Sequence, residues 1–340
     1  MTSKPNDILI LALDWQPNTN HTGFFWALQK GYYSEVGLDV KIQPPSDSYL
    51  KEETPARRVV SGNADLCICP TESIISCWTS ESTDKESMNK PRPIAVAAVL
   101  QNDNSAIVTP KSTGIDSPKH LDGQIYASYG GRFEMNIIQQ LIRNSGGKGE
   151  AIEVLPPKLN CFSEMINGNA AATWVFMGWE GVEAELNGHE LNVFKISDYG
   201  VPYGYSPLLL AHPRLLEGEG EMLRRFLAAT ARGFKAAALN VEEAVDVLLS
   251  IGIMKLIGYN ENLDRNFLLK SQSIVGKSYL DGEGNWGTMD PTKNELFIDW
   301  LVQNGIITCK WGEPIRKDAL PSEKMFTNNF LPKVAPNPND

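Results

Sequence analysis

The sequence predicts an α/β protein of two lobes with a ligand cleft between them. Three observations predict it. Short apolar runs alternate with amphipathic stretches along most of the 340 residues, which is the pattern of strand–helix–strand units. Two polar breaks, near 101–105 and 197–206, enclose a central α/β region, as a chain crossing twice between lobes produces. At about 100–200 residues per domain the length favours two domains, and a hydrophobic share of 42% is enough for a sizeable core. The expected division places 1–104 and 201–320 in the first lobe, 105–200 in the second, and 321–340 in a Pro- and Asn-rich surface tail. A ligand then sits in the cleft at the carboxyl ends of parallel strands, and the lobes close over it by hinge motion.

The elements follow in order. Ile8 to Leu13 is a continuous apolar run, expected as a strand covered on both faces. After a polar loop, Thr22 caps a helix to about Lys30, ended by Gly31. Leu38 to Ile42 alternates and stops at Pro44-Pro45. This strand–helix–strand unit implies a parallel sheet. Helix 54–62, strand 64–69 and helix 72–79 continue the alternation, and the polar stretch 80–93 reads as a surface insertion before strand 94–100. The central region contributes strands 124–128, 151–155, 171–176 and 192–196 and helices 133–144, 160–168 and 179–186. Strand 206–212 then leads to helices at about 220–238, 241–251, 262–273 and 294–303. No internal sequence repeat is visible.

Composition excludes several classes. A formal charge of −10, with no basic stripe, argues against a nucleic-acid partner. No run approaches the roughly 18 apolar residues of a membrane helix, so membrane insertion is not expected. The chain shows no basic, apolar and small-residue leader, and the expected location is cytoplasmic. Five cysteines, an odd number with Cys67 and Cys69 separated by one residue, suit buried thiols in a reducing compartment better than a disulfide framework or a metal site.

Three strand-to-helix junctions carry candidate ligand residues. Trp15 follows the first strand in a loop with Asn18, Asn20 and His21. An indole face beside amide donors and acceptors suits a planar heteroaromatic ligand, and packing with Asn-built turns is the structural alternative. Gly130-Gly131-Arg132 opens a helix, and its backbone N–H groups with the Arg charge suit an anionic substituent, although Glu134 in the first turn opposes one. Trp179 and Glu180 follow an aromatic-rich strand, where Glu180 can pair with an amine or protonated ring nitrogen, or simply face the helix dipole. Tyr205, at the second crossing, lines the cleft or stiffens the hinge. His21 has an orienting role, and no catalytic residue or metal site is predicted.

Asp14-Trp15-Gln16-Pro17-Asn18-Thr19-Asn20-His21-Thr22-Gly23 and the later Gly31-to-Val40 segment resemble the opening of a pyrimidine-binding group. This group contains the fungal thiamine-pyrimidine synthases and the bacterial formylaminopyrimidine-binding proteins. Gly62-Asn63-Ala64-Asp65 and Gly168-Asn169-Ala170-Ala171-Ala172 resemble its two strand entries, the second without Asp. The resemblance runs over roughly residues 7–310. It implies a type II periplasmic-binding-protein fold, with Trp15 stacking on an aminopyrimidine, Asn18 and Asn20 bonding its edge, and a carboxylate near Glu180 pairing with it.

The departures from the group are equally informative. The synthases' pyridoxal-phosphate lysine and nitrogen-donating histidine fall at Cys69 and Ser73, and their cysteine-rich motif falls near 203–207, where there is no cysteine. Without the amine, no Schiff base to that cofactor can form there. The expected function is therefore binding of a thiamine-related aminopyrimidine or similar heteroaromatic, with no cofactor. One alternative is a synthase of the thiamine pyrimidine using another nitrogen donor such as His21, with pyridoxal phosphate. The other is a sulfonate- or aromatic-acid-binding protein. The expected partner is a small-molecule ligand, and the sequence names no transporter partner.

Overall fold

The computed structural model describes residues 6–45, 53–79, 92–250, 264–308 and 312–333. The chain forms two compact units, one of 1–102, 205–291 and 321–340, the other of 103–204 and 292–320. The predicted insertion lies almost wholly outside the described residues, as do the ends of the helices expected at 241–251 and 262–273.

The first unit holds a sheet of β1 (Asp7–Ala12), β2 (Leu38–Gln43), β3 (Leu66–Cys69), β4 (Ile94–Ala98) and β10 (Leu208–Ala211), in the order β2-β1-β3-β10-β4. The second holds β5 (Ser105–Pro110), β6 (Ile125–Ala127), β7 (Ile152–Val154), β8 (Ala172–Phe176) and β9 (Leu191–Phe194), in the order β7-β6-β8-β5-β9. The two orders are the same topology, a repeat of architecture that the sequence conceals. Even the strand entries match. Gly62 and Gly168 both end a helical turn at φ near +80°, a backbone state open to glycine. Asp65 N–H donates to the Ile10 carbonyl, and Ala171 N–H donates to that of Ile125. Asp65 adds a carboxylate that accepts the Ile10 N–H and pairs with Arg214. Its counterpart Ala171 does without one.

Neither sheet is wholly parallel, contrary to expectation. β10 runs antiparallel to β3 and β4, and β5 runs antiparallel to β8 and β9. In each unit the antiparallel strand is the first one formed after the chain passes over from the other unit. Its start pairs with the end of a parallel strand, Ser105 with Phe176 and Leu208 with Cys69. The chain thus enters each sheet from the carboxyl ends of its parallel strands, which forces the reversed direction. β5 was not expected from sequence. Helices cover both faces of the second sheet. Ile138, Leu141 and Ile142 of helix Glu134–Asn144 pack on Ile107 and Ala172, while Phe162, Met165 and Ala184 pack on Ala106, Val108 and Val175. β1 is not covered throughout, because Ile8 is exposed.

Two boundaries shift from the expected division. Residues 292–320 group with the second unit, because Phe297 of helix Pro291–Gln303 packs 5.0 Å from the Tyr203 ring and Arg132 donates to the Thr308 carbonyl at 2.6 Å. Residues 321–333 pack on the first unit. Met325 is buried, and Thr327 N–H donates to the Ala95 carbonyl on β4 in the first unit.

Candidate functional site

The candidate residues divide between the units. Trp15, Asn18, Asn20, His21 and Tyr205 belong to the first, and Gly130, Gly131, Arg132, Trp179 and Glu180 to the second.

In the first unit the chain leaves β1 and makes a single 3-10 turn, Thr19–His21, before helix Thr22–Gln29. Asn18 builds this turn. Its Oδ1 accepts from Asn20 N–H at 2.8 Å, and its Nδ2 donates to the Gln16 carbonyl at 3.2 Å. His21, fully buried, accepts the Asn18 N–H on Nδ1 at 3.3 Å. Nε2 therefore carries the ring proton and donates to Asp14 Oδ1 at 2.8 Å. Asn18 and His21 are thus committed to shaping the loop, on which Trp15 and Asn20 are half-buried.

Thr22 does not cap the helix. Its hydroxyl donates to Gln272 Oε1 at 2.8 Å, while Thr19 and Ser271 share a hydroxyl bond of 2.7 Å. This buried network bolts the turn to helix Arg265–Val275. His21→Ala is expected to lower stability by about 2–4 kcal/mol, since it strips a buried N–H and a carboxylate of their partner. Urea unfolding measures this, and a loss under about 1 kcal/mol contradicts the brace.

Tyr205 is a latch rather than a presented side chain. Its backbone N–H and carbonyl both bond the Thr71 hydroxyl, and its own hydroxyl accepts the Asp290 N–H at 2.8 Å. At the positions matching the synthases' lysine and histidine, Cys69 is buried at the end of β3 and Ser73 lies in helix Thr71–Thr79. Neither side chain carries an amine or an imidazole. No group of residues suited to a metal occurs among the described residues.

In the second unit the Gly-Gly loop departs from expectation. Gly130 N–H donates to Ser128 Oγ at 2.9 Å. Gly131 N–H donates to Glu134 Oε2 at 3.0 Å, and Tyr129 N–H reaches the same carboxylate at 3.1 Å. The Tyr126 hydroxyl donates to its other oxygen at 2.9 Å. The expectation that these N–H groups await an anionic substituent is therefore corrected: Glu134, only 5% exposed, is the anion they hold. Burial still raises its pKa above the ordinary carboxylate range, partly offset by these bonds. Arg132 lies 5.0 Å from the Phe133 ring centroid, with one nitrogen on the Thr308 carbonyl.

Trp179 precedes helix Glu180–Leu186, and the Glu180 carboxylate accepts the Phe176 N–H at the end of β8 at 3.0 Å. The Glu180 residue is half-buried. Desolvation lifts its pKa to about 7, assisted by Glu183 and opposed by the backbone N–H groups of Phe176 and Glu180. Tyr129 stands among these acids. Burial first, then the charges of Glu180, Cys161, Glu134 and Glu183, push its hydroxyl well above the usual phenol value. Cys161 donates to the Ser128 carbonyl at 3.4 Å, and burial pushes it up to about 12.

Sequence reasoning missed Tyr129 and Asp14, although position alone marks both. Each lies within two residues of the end of a strand whose next residues were singled out. The carboxyl end of the second sheet is thus acidic, with one carboxylate spent on backbone donors and another poised near neutrality. Chemically it suits a base that brings its own proton.

The comparisons with known proteins agree with this architecture. A family model described as NMT1/THI5 like matches residues 18–244. The formylaminopyrimidine-binding protein of Halalkalibacterium halodurans is 26% identical over 299 residues, covering 86% of this chain and 83% of that protein. The 4-amino-5-hydroxymethyl-2-methylpyrimidine phosphate synthase of Legionella pneumophila is 24% identical over 243 residues, covering 70% of this chain and 72% of that one. A solved Candida albicans protein, described as exhibiting the generic periplasmic binding protein structural fold, superposes with a TM-score of 0.63 at 15% identity. That match covers 98% of this chain and 99% of the other. Two α/β units of this shared fold, with the family match spanning most of the chain, lead to one conclusion: this protein belongs to the NMT1/THI5-like family.

Proposed function

We propose that the protein binds a small heteroaromatic base of the aminopyrimidine class, the class for which its formylaminopyrimidine-binding relative is named. The observation that carries this reading is the Glu180 carboxylate at the end of β8, which accepts the Phe176 N–H at 3.0 Å and whose pKa desolvation lifts to about 7, near Tyr129. A carboxylate at that balance gains most from a partner bearing both a proton and an amino group. Protonated ring nitrogen and exocyclic amine then donate in parallel to its two oxygens, a charge-assisted bidentate pair. In the first unit, Asn18 and His21 shape the loop that carries Trp15 and Asn20.

The mismatch of Cys69 and Ser73 with the synthase pattern favours binding over pyridoxal-phosphate chemistry. Among the described residues no helix is long and apolar enough to cross a membrane.

Isothermal titration with a panel of 4-aminopyrimidines at pH 7 tests the reading. Binding is expected, weakened roughly 100-fold by Glu180→Gln. No heat with any member of the panel, or unchanged affinity in Glu180→Gln, overturns it.

A further inference from the structure

We propose that Glu134 sets the ligand class of the second unit, its carboxylate filling the donors of the Tyr129–Gly131 loop as an internal anion and so barring phosphate-bearing ligands from them. Three donors converge on this carboxylate: Tyr129 N–H at 3.1 Å, Gly131 N–H at 3.0 Å and the Tyr126 hydroxyl at 2.9 Å. It sits at the first residue of the 11-residue helix Glu134–Asn144, where the helix dipole favours negative charge. A glycine followed by backbone N–H groups at a helix start is what a phosphate seeks. Here the chain has supplied the anion itself.

The geometry looks built for this. A Cβ on Gly131 would come within 3.3 Å of both Glu134 Cβ and Oε2, so a side chain there would press on the carboxylate by a few tenths of an ångström. The remaining N–H of the loop, on Gly130, is taken by Ser128. An incoming phosphate must displace a carboxylate already tethered within bonding distance, whose effective concentration no free ligand matches. It must also approach Glu180 and Glu183, which act on the same Tyr129. The ligand that fits is a base without a phosphate ester. This inference deepens the aminopyrimidine reading and rests on it for the ring, but not for the loop.

The test is calorimetric titration of wild type, Glu134→Ala and Glu134→Gln with three probes: inorganic phosphate, a hydroxymethyl-bearing 4-aminopyrimidine, and its phosphate ester. Circular dichroism checks folding. Wild type is expected to show no phosphate binding and to prefer the unesterified pyrimidine by at least about 100-fold. Glu134→Ala is expected to bind inorganic phosphate and to lose at least about tenfold of that preference. Glu134→Gln keeps an acceptor but not the charge, and is expected to narrow the preference about tenfold, which keeps the proposal testable if the alanine variant fails to fold.

Wild type binding the ester as tightly as the parent, or folded variants retaining wild-type behaviour with all three probes, overturns the inference. If no protein binds a pyrimidine yet Glu134→Ala gains inorganic phosphate, the loop inference stands and the aminopyrimidine reading falls.

Discussion

Gly233→Ala is expected to cost the first unit about 3 kcal/mol or more, enough to leave much of the protein unfolded in mild denaturant. Helix Thr22–Gln29 lies against helix Gly220–Leu239 with Gly23 facing Gly233. A Cβ on Gly233 would collide with the Gly23 carbonyl oxygen and meet the backbone nitrogen and Cβ of Ala27 at 3.1 Å. These atoms are backbone or locked to it, so the helices must part. Parting them opens the cluster in which the Phe234 ring stacks on Trp286 at 4.9 Å and meets Phe24 and Tyr279 edge-on at 5.0 Å. It also strains the buried Tyr33–Thr230 bond of 2.8 Å. Alanine's better helix propensity returns only about 1 kcal/mol. Gly218→Ala, whose Cβ would meet nothing closer than 3.8 Å, is the control. Urea unfolding that shows the two variants equally stable contradicts the close-packed reading. The consequence reaches the site, because the Trp15–His21 loop feeds directly into the helix that would be displaced.

Gly23 also shows what the sequence reveals and what it hides. The residue stands in the opening motif that carried the family resemblance, yet nothing local explains why it must be glycine. The reason sits 211 positions further along the chain, in the Phe234 ring that a Cβ on Gly23 would strike. The alternation of strands and helices was legible because apolar runs, caps and breakers act within a few residues. Gly31, at φ +76°, ends its helical turn where the sequence placed the stop.

β5 was hidden because Ser105–Pro110 follows a polar break, and its reversed direction depends on pairing with Phe176 and Phe194, set by the whole sheet. The assignment of 292–320 likewise turned on a distant ring, Tyr203 against Phe297. In the site, Glu180 was legible as a carboxylate at a strand end, a local fact. Glu134 was legible only as a residue opposed to an anion, and its side chain was not visible as the anion itself. His21 read as an orienting residue, and the structure supplies what it orients: Asp14 on one nitrogen and the Asn18 backbone on the other.

Glu180 makes the unliganded protein less stable as pH rises, and Glu180→Gln is expected to abolish that loss. Its pKa is about 7 when folded against an ordinary 4.5. Between these values the folded chain binds more protons than the unfolded one. By linkage, stability therefore falls as pH climbs from about 4.5 through about 7 and levels off above. The full span corresponds to about 3 kcal/mol, since each pKa unit is worth about 1.4 kcal/mol. At pH 4 the protonated acid and the amide are near equivalents, each able to accept the Phe176 N–H, and wild type and variant should unfold at similar urea concentrations. At pH 8 the variant should be the more stable by about 3 kcal/mol. Glu134 and Asp103, also raised by burial, add their own slopes, and the difference between the two proteins cancels them. Parallel curves from pH 4 to pH 8 contradict the assignment. A variant that is more stable yet binds aminopyrimidines less well would show why a desolvated acid is kept here: its unfavourable ionisation is relieved when a protonated base arrives, so the strain of the empty state becomes affinity in the bound one.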